Sequence, residues 1–246
     1  MENFSQLYSI NTNNLNNTSS LELSYHDKLI YQSLFTYLYI IFSFTVCSTL
    51  TWYLDFYKEK RIIKVSKEEL KRRYNNYLPR VVFNLICPTF GTIYFLYSIF
   101  GLGDYSFNIF SSIIQLNLSM YASEILFYLA HRILHMKYVY KYAHKLHHTV
   151  KDPIGISALY LDVIDLVFGN LLPIFIPAMV FINSKYVRHF YIFKVIFNTV
   201  VISHGGFIDH SDFHHIHHET FKYNFGTGLF MDRMLGTLMV VDRKEE

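Results

Sequence analysis

Ala130 to Val150 reads AHRILHMKYVYKYAHKLHHTV and places five histidines, His131, His135, His144, His147 and His148, directly after a long apolar run. A second block, HGGFIDHSDFHHIHH from His204 to His218, holds a further group, and only His26 and His189 lie outside the two blocks. Surface composition does not account for such density, so metal chemistry is the first expectation. The apolar sequence around the blocks decides where that chemistry happens.

His131 and His135 are four apart, so a helix continuing through them puts both side chains on one face, with Cβ atoms roughly 6 Å apart and able to chelate one ion. His144, His147 and His148 form HxxHH, and on a helix these three share a face. His214, His217 and His218 repeat that spacing, and His204 precedes them. Nine histidines exceed the ligand number of a single zinc ion, which usually takes about four. The count favours two ions. Imidazole suits zinc, copper, iron and nickel alike, so ligand type does not choose the metal. A wholly structural role for both clusters is the weaker reading. His210 and His215 stay open between ligands, donors behind ligands and bystanders, while His26 and His189 are expected at the membrane interface. Cys47 and Cys87 both lie inside apolar runs, where a thiol acts as a small apolar side chain, so neither a disulfide nor a cysteine zinc site is expected.

The chain has 246 residues, 52% hydrophobic and 18% aromatic, with uncharged runs longer than a soluble core requires. This reads as a membrane protein. Met1 to Asp27 is polar and Asn/Ser-rich, which predicts a disordered tail over residues 1–28 and no cleavable signal peptide. Leu29 to Leu54 is free of charge and long enough for one tilted crossing. Lys58 to Arg80 carries the strongest basic bias of the chain, which places this loop in the cytosol by the positive-inside rule. Val81 to Gly103 predicts a second crossing, interrupted by Pro88 and Gly91 and closed by the turn GLGD. Tyr105 to Ala130 predicts a third. It contains Glu124 about two helical turns before His131, a carboxylate expected to face inward as a partner behind the metal ligands. Leu166 to Ser184 and Phe190 to Ser203 predict a hairpin. Lys185 and Arg188 at its tip fit the positive-inside rule poorly, so full crossing and partial penetration both stay open. Either way both histidine blocks fall on the cytosolic side.

The expected fold is therefore all-α: an integral membrane helical bundle of about four transmembrane or membrane-embedded helices, one domain over residues 29–246. A cytosolic histidine-rich cap holds a dimetal site. The formal charge of +3 is small and local, and gives no reason to expect a nucleic-acid partner.

HRxxH (His131 to His135), HKxHH (His144 to His148), HGG (His204 to Gly206) and HxxHH followed by TFKYNFG and MDRMLGT (His214 to Thr237) resemble the sterol desaturase and fatty acid hydroxylase superfamily. The likeness runs from about Tyr121 to Thr237. It implies a membrane-bound non-haem diiron enzyme of the endoplasmic reticulum, with two iron ions on the nine histidines and O2 as co-substrate. Electrons would come from NAD(P)H through cytochrome b5 and its reductase, and the substrate would be a lipid. The wording VYKYAHKLHH with Pro153, and HHxxFxYNFG with a following DR, is most similar to the C-5 sterol desaturases, which implies insertion of a double bond into a delta-7 sterol. The alternatives are a fatty acid or sphingolipid hydroxylase, a C-4 methylsterol oxidase of the same superfamily, and a zinc-handling membrane protein that is no enzyme. The chain departs from the pattern at Asp162, where the superfamily usually has histidine, while Asp165 keeps the following acid. Phe225 stands for the usual Tyr and Met231 for the usual Trp. Asp162 could serve as an extra ligand or an acceptor behind one, or equally as a cap or solvated turn residue. Asn224, Asp232 and Arg233 are expected to fix the last motif.

Overall fold

The first helix is set by an uncharged stretch whose small and polar residues recur every three or four positions. In the computed structural model, which describes residues 23–58, 65–207 and 211–240, α1 covers Tyr25–Tyr53. The Ser24 hydroxyl accepts from the Asp27 N–H and caps it. The expected polar tail lies outside the described residues up to residue 22, and the helix begins three residues inside its predicted end. Ser33, Thr36, Ile40, Ser43, Cys47 and Thr51 form its buried stripe, while Phe35, Leu38 and Phe42 point outward. Small residues inside and large apolar ones outside are what a helix facing lipid requires.

α2 (Lys67–Phe100) is one continuous helix, longer than the predicted crossing, and it runs through Pro79 and Pro88 without a break. Pro88 has no N–H for the Asn84 carbonyl one turn earlier, and the Thr89 hydroxyl donates to that carbonyl instead at 2.7 Å. The helix stops at Gly101, with φ of 81°, where the expected GLGD turn begins. α3 (Ile109–Leu134) ends with His135 as its C-cap, so His131 and His135 do share the end of one helix. The span Tyr25–Lys58, α2 and α3 are each long and apolar enough to cross a membrane.

α4 (Lys137–Ala143) is short, and the chain then turns. The predicted helix through His144, His147 and His148 is absent: α4 ends before His144, and only His147–Thr149 forms a short 3-10 turn. The hairpin comprises a π-helical turn Asp165–Leu171, α5 (Leu172–Phe181), α6 (Lys185–Phe197) and a second π-helical turn Asn198–Ser203. Its first arm, Asp165–Phe181, is about 25 Å long at 1.5 Å per residue, short of the ~30 Å hydrocarbon core. Arg188 at its tip is buried and donates to the Ile182 and Met179 carbonyls, closing the C-terminus of α5. That charge is therefore internal and does not count as a loop charge. His189, expected at the interface, packs between the Phe35 and Tyr39 rings and bonds Thr36, whereas His26 is exposed. α7 (Ser211–Thr220) and α8 (Phe230–Met234) are the last helices among the described residues, α8 packing on α3.

α3 packs chiefly against α5, and α1 lies against α2 and α6. The core between these helices is apolar, with Ile93, Leu96, Ile182 and Ile192 fully buried. Substituting Arg188→Ala leaves two buried carbonyls without donors and is expected to lower stability by about 2–3 kcal/mol. A thermal midpoint in detergent equal to that of the unaltered protein would show that Arg188 does not hold the tip.

Candidate metal centre

The nine histidines singled out by their spacing converge, and they do so as two groups. His131, His135, His144, His148 and His217 bring one ring nitrogen each within 4.8 Å of the others, as do His147, His204, His214 and His218. The groups adjoin: the His148 and His218 rings are 4.6 Å apart and those of His144 and His147 are 5.3 Å apart. All nine are buried except His135 and His214, which are half-buried.

The two HxxHH motifs divide in the same way. His144 and His148 join the first group while His147 crosses to the second; His214 and His218 join the second while His217 crosses to the first. On α7 this follows from helical spacing, since residues four apart share a face more closely than residues three apart. In the first motif the turn after α4 achieves it without a helix. His204 reaches the second group from the π-helical turn before it, whose wider ring of hydrogen bonds frees the Thr199 carbonyl to accept from both the His204 N–H and Nδ1.

The protons on these rings are fixed from behind. His131 Nδ1 donates to the Phe225 carbonyl at 2.7 Å, His217 Nδ1 to the Tyr223 carbonyl at 2.7 Å, and His204 Nδ1 to the Thr199 carbonyl at 2.8 Å. Asp165 accepts from His144 Nδ1 at 2.6 Å. A carbonyl can only accept, so in a neutral ring the lone pair is left on Nε2. Yet His131 Nε2 lies 3.0 Å from His144 Nε2, with His148 Nε2 a further 3.1 Å from His144 Nε2. Two lone pairs at that distance repel unless a cation sits between them. Donors about 2.1 Å from one ion are about 3.0 Å apart at a right angle and about 3.4 Å apart at the tetrahedral angle. The observed 3.0–3.1 Å edges, repeated between His135 and His217 and among His204, His214 and His218, are short enough for the nitrogens of each group to share one ion.

The remaining sequence candidates take other places. Asp165 stands behind His144, as described. Glu124 touches no histidine ring through a hydrogen bond; it accepts from the Thr227 N–H and hydroxyl and the Gly228 N–H, pinning the last loop to α3. Asp162 is paired with Arg80 at 3.0 Å, outside both groups. His215 Nε2 donates to Asp152 Oδ1 at 3.2 Å and is likewise outside both groups. His210 lies outside the described residues. Asn224 and Asp232 fix the last motif: Asp232 accepts from the Phe225 and Gly226 N–H groups, and Asn224 ties Phe213 to Met239. Sequence reasoning did not find the carbonyls of Thr199, Tyr223 and Phe225, because a main-chain acceptor leaves no trace in residue type. It also missed Phe221, whose ring lies 4.5 Å from that of His148.

A cavity of about 360 Å³ opens from His131, His147 and His204 and runs between α3 and the hairpin. Along α3 its wall extends from Asn117 to Leu134, roughly 25 Å at 1.5 Å per residue. Lys194, the single charge of the second hairpin arm, lines it, which explains how a lysine is tolerated at that depth.

Burial is the main force on the imidazoles outside the membrane helices. It lowers His204 to about 4, opposed by the Thr199 carbonyl, and His217 to about 3, opposed by the Tyr223 carbonyl. His147, His214 and His218 are likewise pushed well below the usual 6.5 by burial and by one another. Each ring is thus held neutral, the state a metal requires. In the unfolded chain these rings take up protons as pH falls through about 6.5, while the folded rings do not until far lower pH. The metal-free protein is therefore expected to lose stability progressively from pH 6.5 towards 4, each such histidine contributing about 1.4 kcal/mol per pH unit. Thermal midpoints at pH 7.5, 6, 5 and 4.5 check this, and a flat profile would contradict it.

Residues 116–237, about half of the chain, match the family model for fatty acid hydroxylase. The chain is 32% identical over 130 residues to human fatty acid hydroxylase domain-containing protein 2, covering 51% of this chain and 38% of that one. It is 28% identical over 142 residues to the C-4 methylsterol oxidase of Schizosaccharomyces pombe, covering 50% and 46%. With methylsterol monooxygenase 1 of Danio rerio the identity is 31% over 123 residues, covering 45% and 42%. The chain thus spans less than half the length of these curated relatives. No solved structure matches it. The family match falls on the same stretch that builds both histidine groups, and the chain belongs to the sterol desaturase and fatty acid hydroxylase superfamily.

Proposed function

We propose that this chain is a membrane-bound oxidoreductase that uses two iron ions and O2 to oxidise a C–H bond of a sterol. The observation that carries the reading is the pair of adjoining imidazole groups with inward lone pairs at one end of a lipid-sized cavity. Bound there, iron supplies the O2-dependent oxidising chemistry that no side chain can provide. The residues of the chain do the rest. Asp165 and the Phe225, Tyr223 and Thr199 carbonyls aim the rings. The apolar bundle admits a lipid from the bilayer and keeps bulk water from the site.

The zinc-handling reading is disfavoured because one group offers five ligands, more than the about four that a zinc site usually takes. Among sterol positions, the methylsterol oxidase and methylsterol monooxygenase names among the relatives favour the C-4 methyl group. The YNFG and HKLHH wording supports C-5 desaturation of a delta-7 sterol as the second reading. Hydroxylation of a C–H bond by O2 consumes two external electrons, and cytochrome b5 with its NAD(P)H-dependent reductase is the proposed source. The basic stretch Lys58 to Arg80 supports placement of the histidine end in the cytosol, with the chain in the endoplasmic reticulum membrane.

Purified protein is expected to hold about two irons per chain and to consume O2 in proportion to sterol oxidised. His147→Ala is expected to abolish turnover without affecting membrane insertion; retained turnover would remove His147 from the ligand set. Sterol profiles of cells lacking the protein decide the position. Accumulated 4-methyl sterols favour C-4 oxidation, and accumulated delta-7 sterols favour C-5 desaturation. An unaltered profile would overturn the sterol reading.

A further inference from the structure

Both metal groups draw on the same two elements. The turn His144–Thr149 supplies His144 and His148 to the first group and His147 to the second, while α7 supplies His217 to the first and His214 and His218 to the second. Among the described ligands, α3 and the turn before His204 each serve a single group. Any shift of α7 relative to the His144–Thr149 turn therefore distorts both groups at once.

Among the described residues, Asp152 links these two elements outside the imidazole groups. It lies four residues after His148, and its Oδ1 is 3.2 Å from Nε2 of His215, the α7 histidine that belongs to neither group. Its Oδ2 accepts from Arg73 Nη2 at 3.1 Å, and its carbonyl accepts from Arg73 Nη1 at 2.9 Å. Arg73 in turn donates from Nε to Glu69 at 2.8 Å, in the first turn of α2. One carboxylate thus joins α7, the ligand turn and the cytosolic end of α2, with His215 6% exposed. A carboxylate receiving a guanidinium on one oxygen and an imidazole on the other fixes direction as well as distance.

We propose that Asp152, held by Arg73 and acting through His215, is a positioning residue that sets the spacing of the two metal groups. This rests on the reading that both groups hold metal. It gives His215 a role that neither group assigns to it, and it makes the start of α2 part of the support of the site. Loss of a contact behind the ligands typically costs about 10–100-fold in metal affinity, and here the loss is shared by both ions.

The test uses Co(II) as probe on the full chain in detergent, without lipid or O2, following visible absorbance during titration. The unaltered protein is expected to bind two equivalents. Asp152→Ala is expected to weaken both equivalents by at least 10-fold and to shift the absorbance bands of both, with Arg73→Ala doing the same. Asp152→Asn keeps an acceptor for His215 and is expected to lie between, which provides the reading if the alanine variant does not fold. Thermal midpoints of the metal-free variants separate this from general loss of structure, because a positioning role shifts the bands even where the midpoint is unchanged. Unaltered affinity and bands in Asp152→Ala, or in Asp152→Asn where only that variant folds, would overturn the positioning role alone. An unaltered protein that binds no Co(II) would overturn both this proposal and the metal reading beneath it. Binding of two ions with no lipid oxidation leaves the positioning role standing and removes only the proposed reaction.

Discussion

Imidazoles turned towards one another, four of them with the outer ring nitrogen already committed as a donor, bring their inward nitrogens within about 3 Å of each other, where lone pairs repel. The hydrogen bonds behind the rings hold that arrangement in place. The carbonyls of Phe225, Tyr223 and Thr199 and the carboxylate of Asp165 fix the protons on the outer side of four rings. Three of those acceptors are themselves anchored. Phe225 is held by Asp232, Thr199 by a π-helical turn, and Asp165 by Asn170. A site assembled from repelling groups can be held only by elements that do not relax, and helix ends packed in an apolar bundle provide them.

Depth is the second constraint. The rings sit where α3 and the hairpin end, so burial favours the neutral form of His204 and His217 while the cavity beneath them reaches along the lipid-embedded part of α3. The same burial that makes protonation unfavourable excludes water from the chemistry. Glu124 contributes from a distance: by capturing the Thr227 and Gly228 N–H groups it ties the last loop, and with it the Phe225 carbonyl behind His131, to the helix that carries His131.

Much of this was legible residue by residue. The uncharged runs predicted the long helices, because the length needed to cross a bilayer is a property of composition alone. His131 and His135 were readable as one helix end, since four-residue spacing is local. Other features were not. Pro88 looked like an interruption, and the Thr89 hydroxyl removes the interruption by taking the carbonyl that proline leaves bare. HxxHH looked like one helical face twice, whereas the first copy lies in a turn and both copies send their middle histidine to the other group. Asp162, which stands where a histidine is usual, was open between ligand and solvated turn, and the structure gives it to Arg80.

By itself the sequence determined that this chain is helical and membrane-embedded, and that nine imidazoles stand at spacings that suit metal binding. These follow from residue type, count and short-range spacing, which need no knowledge of the path of the chain. Only the tertiary structure decided which imidazole joins which group, which main-chain carbonyl stands behind each ring, and which acids are partners of arginine. Those pairings join residues as far apart as 94 positions for His131 and Phe225 and 82 for Arg80 and Asp162. Carbonyls are common to every residue, and a carboxylate pairs with whichever cation the fold brings to it.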